Sequence, residues 1–173
     1  QKKQFLQEWK NKTIETLEAH PHIKAYRDIH QQFGAYPEEA PPAVENLYLR
    51  GILQGRFPTI NSVVDSCNLV SVKTLIPIGA FDGDRITGDV TLRLAREGDI
   101  FTPIGKPKPM KIELGIPVLE DEEKIISCIG VRDAEATKIS KNTRTLTLFS
   151  WGNSDVSRET VREALSEAAS NTR

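Results

Sequence analysis

The apolar residues of this chain change their spacing near Asp84, and this change determines the class of fold. Before residue 75 they recur three or four residues apart, as on the buried face of a helix. After Asp84, Val90, Leu92 and Leu94 alternate with polar residues, which indicates a half-buried strand. A last segment, after residue 155, returns to helical spacing. We therefore predict an α+β fold with N-terminal helices, a largely antiparallel or mixed sheet and a C-terminal helix.

Proline and glycine divide the predicted helices. The first covers about residues 4–18, and the second begins at Pro21 and stops at Gly34. Pro42 begins a third, which ends near Gly55, and a fourth covers about residues 61–74. The later strands are predicted at residues 100–101, 117–120, 125–130 and 143–149. At 173 residues the whole chain, 1–173, is expected to form a single domain.

Composition narrows the classes of function. A formal net charge of −1 is not that of a strongly basic nucleic-acid binder, although Lys106, Lys108 and Lys111 are candidates for a local basic patch. We expect no membrane span and no secretory leader, since no apolar run is long enough for either. Cys67 and Cys128 lie in apolar runs without metal-ligand spacing, which predicts reduced core thiols and a cytoplasmic protein.

The fourth predicted helix carries a polar stripe within the most apolar part of the chain. Asn61, Asp65, Asn68 and Ser71 are three or four residues apart, so they share one face of that helix. Buried amides and carboxylates need hydrogen-bond partners or ligands. The stripe therefore predicts either caps for neighbouring strands and loops or the wall of a polar pocket.

Three sequence blocks occur together in the order found in a known family. They are Ile60-Asn-Ser-Val-Val-Asp with Asn68, then Pro77-Ile-Gly-Ala-Phe-Asp, then the strand from Gly88 to Ala95. Together they resemble the editing domain of the phenylalanyl-tRNA synthetase beta subunit, the B-three/B-four domain, and still more the free-standing proteins made of that domain alone. The resemblance is strongest over residues 44–149.

In the synthetase, this domain hydrolyses the ester of tyrosine wrongly attached to the phenylalanine tRNA. The resemblance implies a trans-editing aminoacyl-tRNA deacylase whose partner is the acceptor end of a tRNA, with a tRNA synthetase as a further candidate partner. Neither DNA nor a membrane is expected as a partner, and neither a cofactor nor a metal ion is expected in the site. The alternative is a non-catalytic module of the same fold that binds RNA or an amino-acid-like ligand.

Two positions depart from the bacterial pattern of that family. The pocket histidine of bacterial synthetases matches Gly79 here, and a pocket glutamate falls at about Phe149. Hydrolysis remains chemically open, because an aminoacyl ester is already activated and needs chiefly a positioned water and oxyanion stabilisation. Gly79 is expected either to leave room and a backbone N–H for an oxyanion, or to be a turn glycine with positive φ.

The remaining candidates come from loops and strand ends. Asp82 and Asp84 are candidates for activating water or binding an amine, and the Asp-Gly-Asp sequence that they form is also typical of a turn. Arg132, beside Asp133, is expected to contact phosphate or a substrate carboxyl oxygen, with a surface ion pair as the alternative. Lys73 resembles a residue of the stand-alone proteins, and a solvated lysine is its alternative role. The pocket is expected between helix 61–71, the turn 77–82 and the strand ends near Gly130 and Thr147.

Overall fold

The structure is a computed structural model that describes residues 13–34 and 41–172, and only the backbone at residues 52 and 53. Its helices are α1 Ile14–Glu18, α2 Pro21–Gln32, α3 Ala43–Tyr48, which continues as the π-helical turn Leu49–Leu53, α4 Ser62–Thr74 and α5 Arg158–Asn171. The part of the first predicted helix before residue 13 lies outside the described residues. None of the described helices is long and apolar enough to cross a membrane.

The strands lie between α4 and α5, as predicted, although the strands at residues 79–82, 110–111 and 132–133 were not among those predicted. They are β1 Gly79–Asp82, β2 Thr91–Leu94, β3 Ile100–Phe101, β4 Met110–Lys111, β5 Pro117–Glu120, β6 Ile125–Cys128, β7 Arg132–Asp133 and β8 Leu146–Phe149. In the described residues, they pair only in antiparallel fashion, as β1-β8, β2-β5-β6-β7 and β3-β4. The α+β class and the closing helix are therefore confirmed, with the strands divided among three small sheets.

Local chemistry explains where the helices begin and end. α2 has Pro21 at its first position and is followed by Gly34, whose φ of 75° suits the chain reversal. α4 begins where the Asn61 side chain accepts the Val64 N–H at 2.9 Å. Ser157 caps α5 in the same way by accepting the Thr160 N–H at 3.0 Å. These boundaries confirm the predictions for all three helices.

Separate apolar clusters lie among the helices and beneath the four-stranded sheet. Cys67 belongs to the cluster between α2, α4 and α5, and Cys128 to the cluster under β5 and β6. Both thiols are free and buried. Burial raises the pKa of Cys67 to about 11 and that of Cys128 to about 12, so both stay protonated at neutral pH. The prediction that both are core thiols is confirmed.

The prediction for β2 was wrong about which face is buried. Leu92 and Leu94 are 61% and 55% exposed, whereas the side chain of Arg93 is only 13% exposed. Its guanidinium lies 2.5 Å from Asp99 Oδ2 and 2.5 Å from Glu120 Oε2. Paired carboxylates satisfy an arginine strongly enough to place it on the inner face of a strand. The leucines consequently face outward on an edge strand.

Substitutions in β2 should show this reversed orientation. We expect Arg93→Leu to lower the free energy of unfolding by about 2–3 kcal/mol, because Asp99 and Glu120 lose their common partner. Leu92→Thr should change it by less than about 0.5 kcal/mol, because an exposed side chain buries little surface. Urea unfolding of both variants measures the difference. A larger loss for Leu92→Thr than for Arg93→Leu would contradict the assignment.

Candidate functional site

A cleft of about 450 Å³ opens between three helices and the hairpin formed by β6 and β7. The helices α2, α3 and α4 provide one side of the cleft, through Tyr26, Ile29, His30, Asn46, Leu47 and Asn68. The hairpin provides the other side with residues 127–133. Pro77 and Trp151 complete the lining between these two sides. A cavity of this size matches the sites that bind small molecules.

The pairing of β6 with β7 places two polar side chains together. Ser127 and Asp133 are opposite each other in the antiparallel register, so both point to the same face of the sheet. The Ser127 hydroxyl donates to Asp133 Oδ1 at 2.8 Å. Gly130 makes the tight connection between the strands with a φ of 72°. The hairpin thus presents a serine-carboxylate pair to the cleft.

Asp133 is electrostatically unusual. Burial raises its pKa to about 6, and the hydrogen bond from Ser127 opposes that rise. Arg132, the residue before it, forms no ion pair with it. The Arg132 guanidinium instead donates to the Ile104 carbonyl at 3.3 Å. A carboxyl group of this kind exchanges its proton close to neutral pH, as a general base must.

Three arginines line the cleft and are exposed to solvent: Arg50, Arg56 and Arg132, called here the rim arginines. None of them forms an ion pair with a described residue. Asn46 and Asn68 add amide groups on the helical side. The arrangement can hold an anion at the rim, bind polar groups of a ligand and accept a proton at Asp133. The described residues contain no cluster of three or more His, Cys, Asp or Glu suited to a metal ion.

Three of the site residues proposed from the sequence line this cleft: Asn68, Arg132 and Asp133. The other polar site residues in α4 or beside it contact neighbouring segments and do not line the cleft. The Asp65 carboxylate accepts the Ile60 N–H at 2.8 Å, and Asn61 caps the helix. Ser71 accepts the Ile78 N–H at 3.1 Å. Lys73 lies 2.7 Å from Glu167 in an ion pair with α5. The predicted polar stripe therefore mostly caps and ties together neighbouring elements.

Asp82 lies at the end of β1, away from the cleft lining. It is 3% exposed, and its carboxylate accepts the Thr143 hydroxyl at 2.8 Å and the Asp84 N–H at 3.3 Å. These contacts fix the turn that follows β1, as expected if the Asp-Gly-Asp sequence serves as a turn. Thr147 pairs with Phe81 between β1 and β8 and does not line the cleft either.

Gly79 has neither the positive φ nor the free space expected of it. It lies in an extended strand and is absent from the residues with positive φ. It also has no free space beside it, because an added Cβ would overlap the ring of Phe149. Gly79 and Phe149 are opposite each other in the β1-β8 register, so the two departures from the family pattern form one packed apolar pair. Phe149 in turn contacts Trp151 of the cleft, with ring centroids 5.6 Å apart.

Sequence reasoning missed the contribution of the helices and of Ser127. The side chains of Tyr26 and Asn46 reach the cleft through the packing of α2 and α3, and no local pattern signals that. Ser127 did leave a signal, since it is the one polar residue in the run Ile125-Ile-Ser-Cys-Ile. A serine that is 2% exposed needs a hydrogen-bond partner. That requirement points to a nearby acceptor such as Asp133.

The chain is similar in sequence to part of the beta subunit of phenylalanine–tRNA ligases. The beta subunit of phenylalanine–tRNA ligase from Corynebacterium jeikeium is 33% identical over 135 residues, which cover 75% of this chain and 16% of that protein. The corresponding subunit from Mycoplasma genitalium is 36% identical over 84 residues, or 49% of this chain and 10% of that protein. The chain thus spans less than a fifth of the length of these relatives.

A solved structure and a family model match the same part of the chain. An N-terminal fragment of the phenylalanyl-tRNA synthetase beta subunit from Pyrococcus horikoshii superposes with a TM-score of 0.54 over 66% of this chain and 40% of that chain. At 19% identity this likeness shows the fold alone. The B3/4 domain model matches residues 25–172, which include all the strands and the cleft. The chain therefore belongs to the B3/4 domain family.

Proposed function

We propose that this chain hydrolyses the ester of a mischarged aminoacyl-tRNA in trans, with the aminoacyl end bound in the cleft. The relatives are subunits of a tRNA ligase, which supports a tRNA as partner and a synthetase as a further candidate. The proposal places this activity in the cytoplasm. The observation that carries it is Asp133, whose half-buried carboxyl group has a pKa of about 6 and accepts a hydrogen bond from Ser127.

The mechanism uses Asp133 as the base for hydrolysis. The ionised carboxylate takes a proton from water as the water oxygen bonds to the ester carbonyl carbon. The bond between that carbon and the ribose oxygen then breaks, and the proton passes from Asp133 to the leaving oxygen. Ser127 keeps the carboxylate oriented through its 2.8 Å hydrogen bond. Asn68 offers an amide donor for the carbonyl oxygen as negative charge develops there.

A second candidate function is recognition without catalysis. It is favoured by the packing of Phe149 against Gly79, which leaves no polar group at the two positions where the resembled bacterial pocket has histidine and glutamate. In that case, Asp133 would bind the amino group of an amino-acid-like ligand, and the rim arginines would bind RNA phosphates. The two functions differ in whether the bound ester is cleaved.

The experiment that separates them measures amino acid release from a panel of correctly and wrongly charged tRNAs. We expect selective release from one mischarged species, with a rate that falls as pH falls through about 6, because protonation removes the base. Asp155→Asn serves as the control, since Asp155 is exposed and outside the cleft. Binding of charged tRNA without release above the spontaneous rate would support the recognition module.

Asp82→Asn tests the other carboxylate proposed from the sequence. Its contacts with Thr143 and Asp84 predict a loss of stability with little change in the rate of the remaining folded protein. Thermal unfolding and hydrolysis measured on the same sample separate these effects. A large loss of rate at unchanged stability would transfer the role of base from Asp133 to Asp82.

A further inference from the structure

The loop that joins β3 to β4, residues 102–109, is fixed to one wall of the cleft. The Ile104 N–H donates to the Asp133 carbonyl at 2.9 Å, and the Arg132 guanidinium donates back to the Ile104 carbonyl at 3.3 Å. The Gly105 N–H donates to Glu135 Oε2 at 3.2 Å. These hydrogen bonds tie the base of this loop to the strand that carries Arg132 and Asp133 and to the residues that follow it.

The hairpin formed by β3 and β4, which contains this loop, carries positive charge that no described residue neutralises. Lys106, Lys108 and Lys111 are exposed, and none forms an ion pair with a described residue. The acid that contacts the loop, Glu135, is already paired with Lys138. The rim arginines add three cations without an ion pair to a described residue, and one of them, Arg132, is hydrogen-bonded to this loop in a chain whose net charge is −1. Such a local excess attracts anions despite the overall balance.

Two prolines of the loop restrict the backbone of two of these lysines. Lys106 precedes Pro107, and Lys108 precedes Pro109. A proline restricts the residue before it to extended conformations. The chain also bends at residues 107 and 108, between β3 and β4. A loop already ordered in this way loses less entropy on binding, and its repeated cations suit a polymer with regularly repeated anions.

We infer that the lysine hairpin, residues 100–111, holds the phosphate backbone of an RNA whose acylated end lies in the cleft. This inference rests on the proposed function, since it takes the occupant of the cleft to be an RNA end. Lysine is a common phosphate-binding residue that acts as a point charge without reading sequence. The hairpin therefore contributes affinity and places the RNA, while the cleft selects the attached group.

The test compares two triple variants that remove the same charge. One is Lys106→Gln/Lys108→Gln/Lys111→Gln, and the control is Lys24→Gln/Lys141→Gln/Arg162→Gln. The control residues are exposed, form no ion pair with a described residue and do not line the cleft. Binding of uncharged tRNA is measured by fluorescence anisotropy over a range of salt concentrations.

We expect the hairpin variant to bind tRNA at least about 10-fold more weakly at low salt, and the slope of log K against log salt to fall by about 2–3. The control should keep the wild-type slope. An unchanged slope in the hairpin variant, or no tRNA binding by the wild type, would overturn the inference. Displacement of tRNA by polyglutamate at equal charge concentration would also overturn it, by indicating an acidic protein as the partner.

A small ester separates this inference from the hydrolase proposal. The aminoacyl ester of adenosine carries no phosphate backbone, so the hairpin variant should cleave it at the wild-type rate. Cleavage of that ester, together with tRNA binding that weakens when the lysine hairpin is changed, supports both proposals. If the wild type instead binds tRNA through the lysine hairpin and cleaves no ester, that result would support the inference and refute the hydrolase proposal.

Discussion

Replacing Asp133 with asparagine is expected to lower the rate of ester hydrolysis by about 10²–10⁴-fold, the usual contribution of a general base. Asparagine keeps the shape of the side chain and accepts the same hydrogen bond from Ser127. It cannot take a proton from water. Binding of the aminoacyl end should therefore persist, so the loss should fall on kcat more than on KM.

The same substitution is expected to stabilise the protein above pH 6. Burial raises the pKa of Asp133 from an unfolded value near 4 to about 6, so between these values the folded state binds the proton more tightly. The stability that protonated Asp133 gives the folded state is complete below about pH 4 and is lost as pH rises through about 6. A shift of this size corresponds to about 3 kcal/mol. Asparagine does not titrate and should avoid this loss.

Thermal unfolding of wild type and Asp133→Asn between pH 4 and pH 8 measures this effect, alongside hydrolysis. The two melting temperatures should be similar near pH 4 and diverge as pH rises, with the variant more stable at pH 7. Asp155→Asn should match the wild type in both assays, since Asp155 is exposed. A wild-type hydrolysis rate for Asp133→Asn would rule out its role as the base. A variant less stable than wild type at pH 7 would show that the carboxylate is instead stabilised there.

The sequence was sufficient for the elements whose boundaries depend on local chemistry. The cap at Asn61, the proline that begins α2 and the glycine that follows it act within a few residues of the boundary. For the same reason, the order of helices and strands could be predicted. The cleft could be predicted only in part, because its walls come from α2, α3 and a hairpin far apart in the chain.

The errors have a common physical cause, which is a contact made by residues distant in sequence. Leu92 and Leu94 alternate like buried residues, but the pairing of Arg93 with Asp99 and Glu120 orients β2 the other way. Space was expected beside Gly79, and the ring of a residue on another strand fills it. The spacing of apolar residues depends on one segment alone, whereas the orientation of a strand and the space beside a residue depend on the segments that pack against it.

Replacing Arg27 with methionine is expected to lower the free energy of unfolding by about 3–5 kcal/mol, because it leaves the Glu45 carboxylate buried without its charge partner. Glu45 is 2% exposed and accepts two hydrogen bonds from Arg27, at 2.9 Å to Nε and 2.6 Å to Nη2. Arg27 lies on α2 and Glu45 on α3, and both helices line the cleft. The pair therefore holds the helical wall of the site together.

A double-variant cycle distinguishes the cost of an unpaired charge from the loss of packing. Arg27→Met/Glu45→Leu removes both charges and should recover most of the lost stability, since a buried ion pair can be replaced by apolar side chains at little cost. Glu18→Gln is the control, because Glu18 also contacts Arg27 but its side chain is 45% exposed, and it should cost less than about 1 kcal/mol. Urea unfolding of the wild type, Arg27→Met, Glu45→Leu and the double variant gives the coupling energy, and Glu18→Gln is measured beside them. A double variant less stable than Arg27→Met would mean that Glu45 is satisfied by contacts other than Arg27.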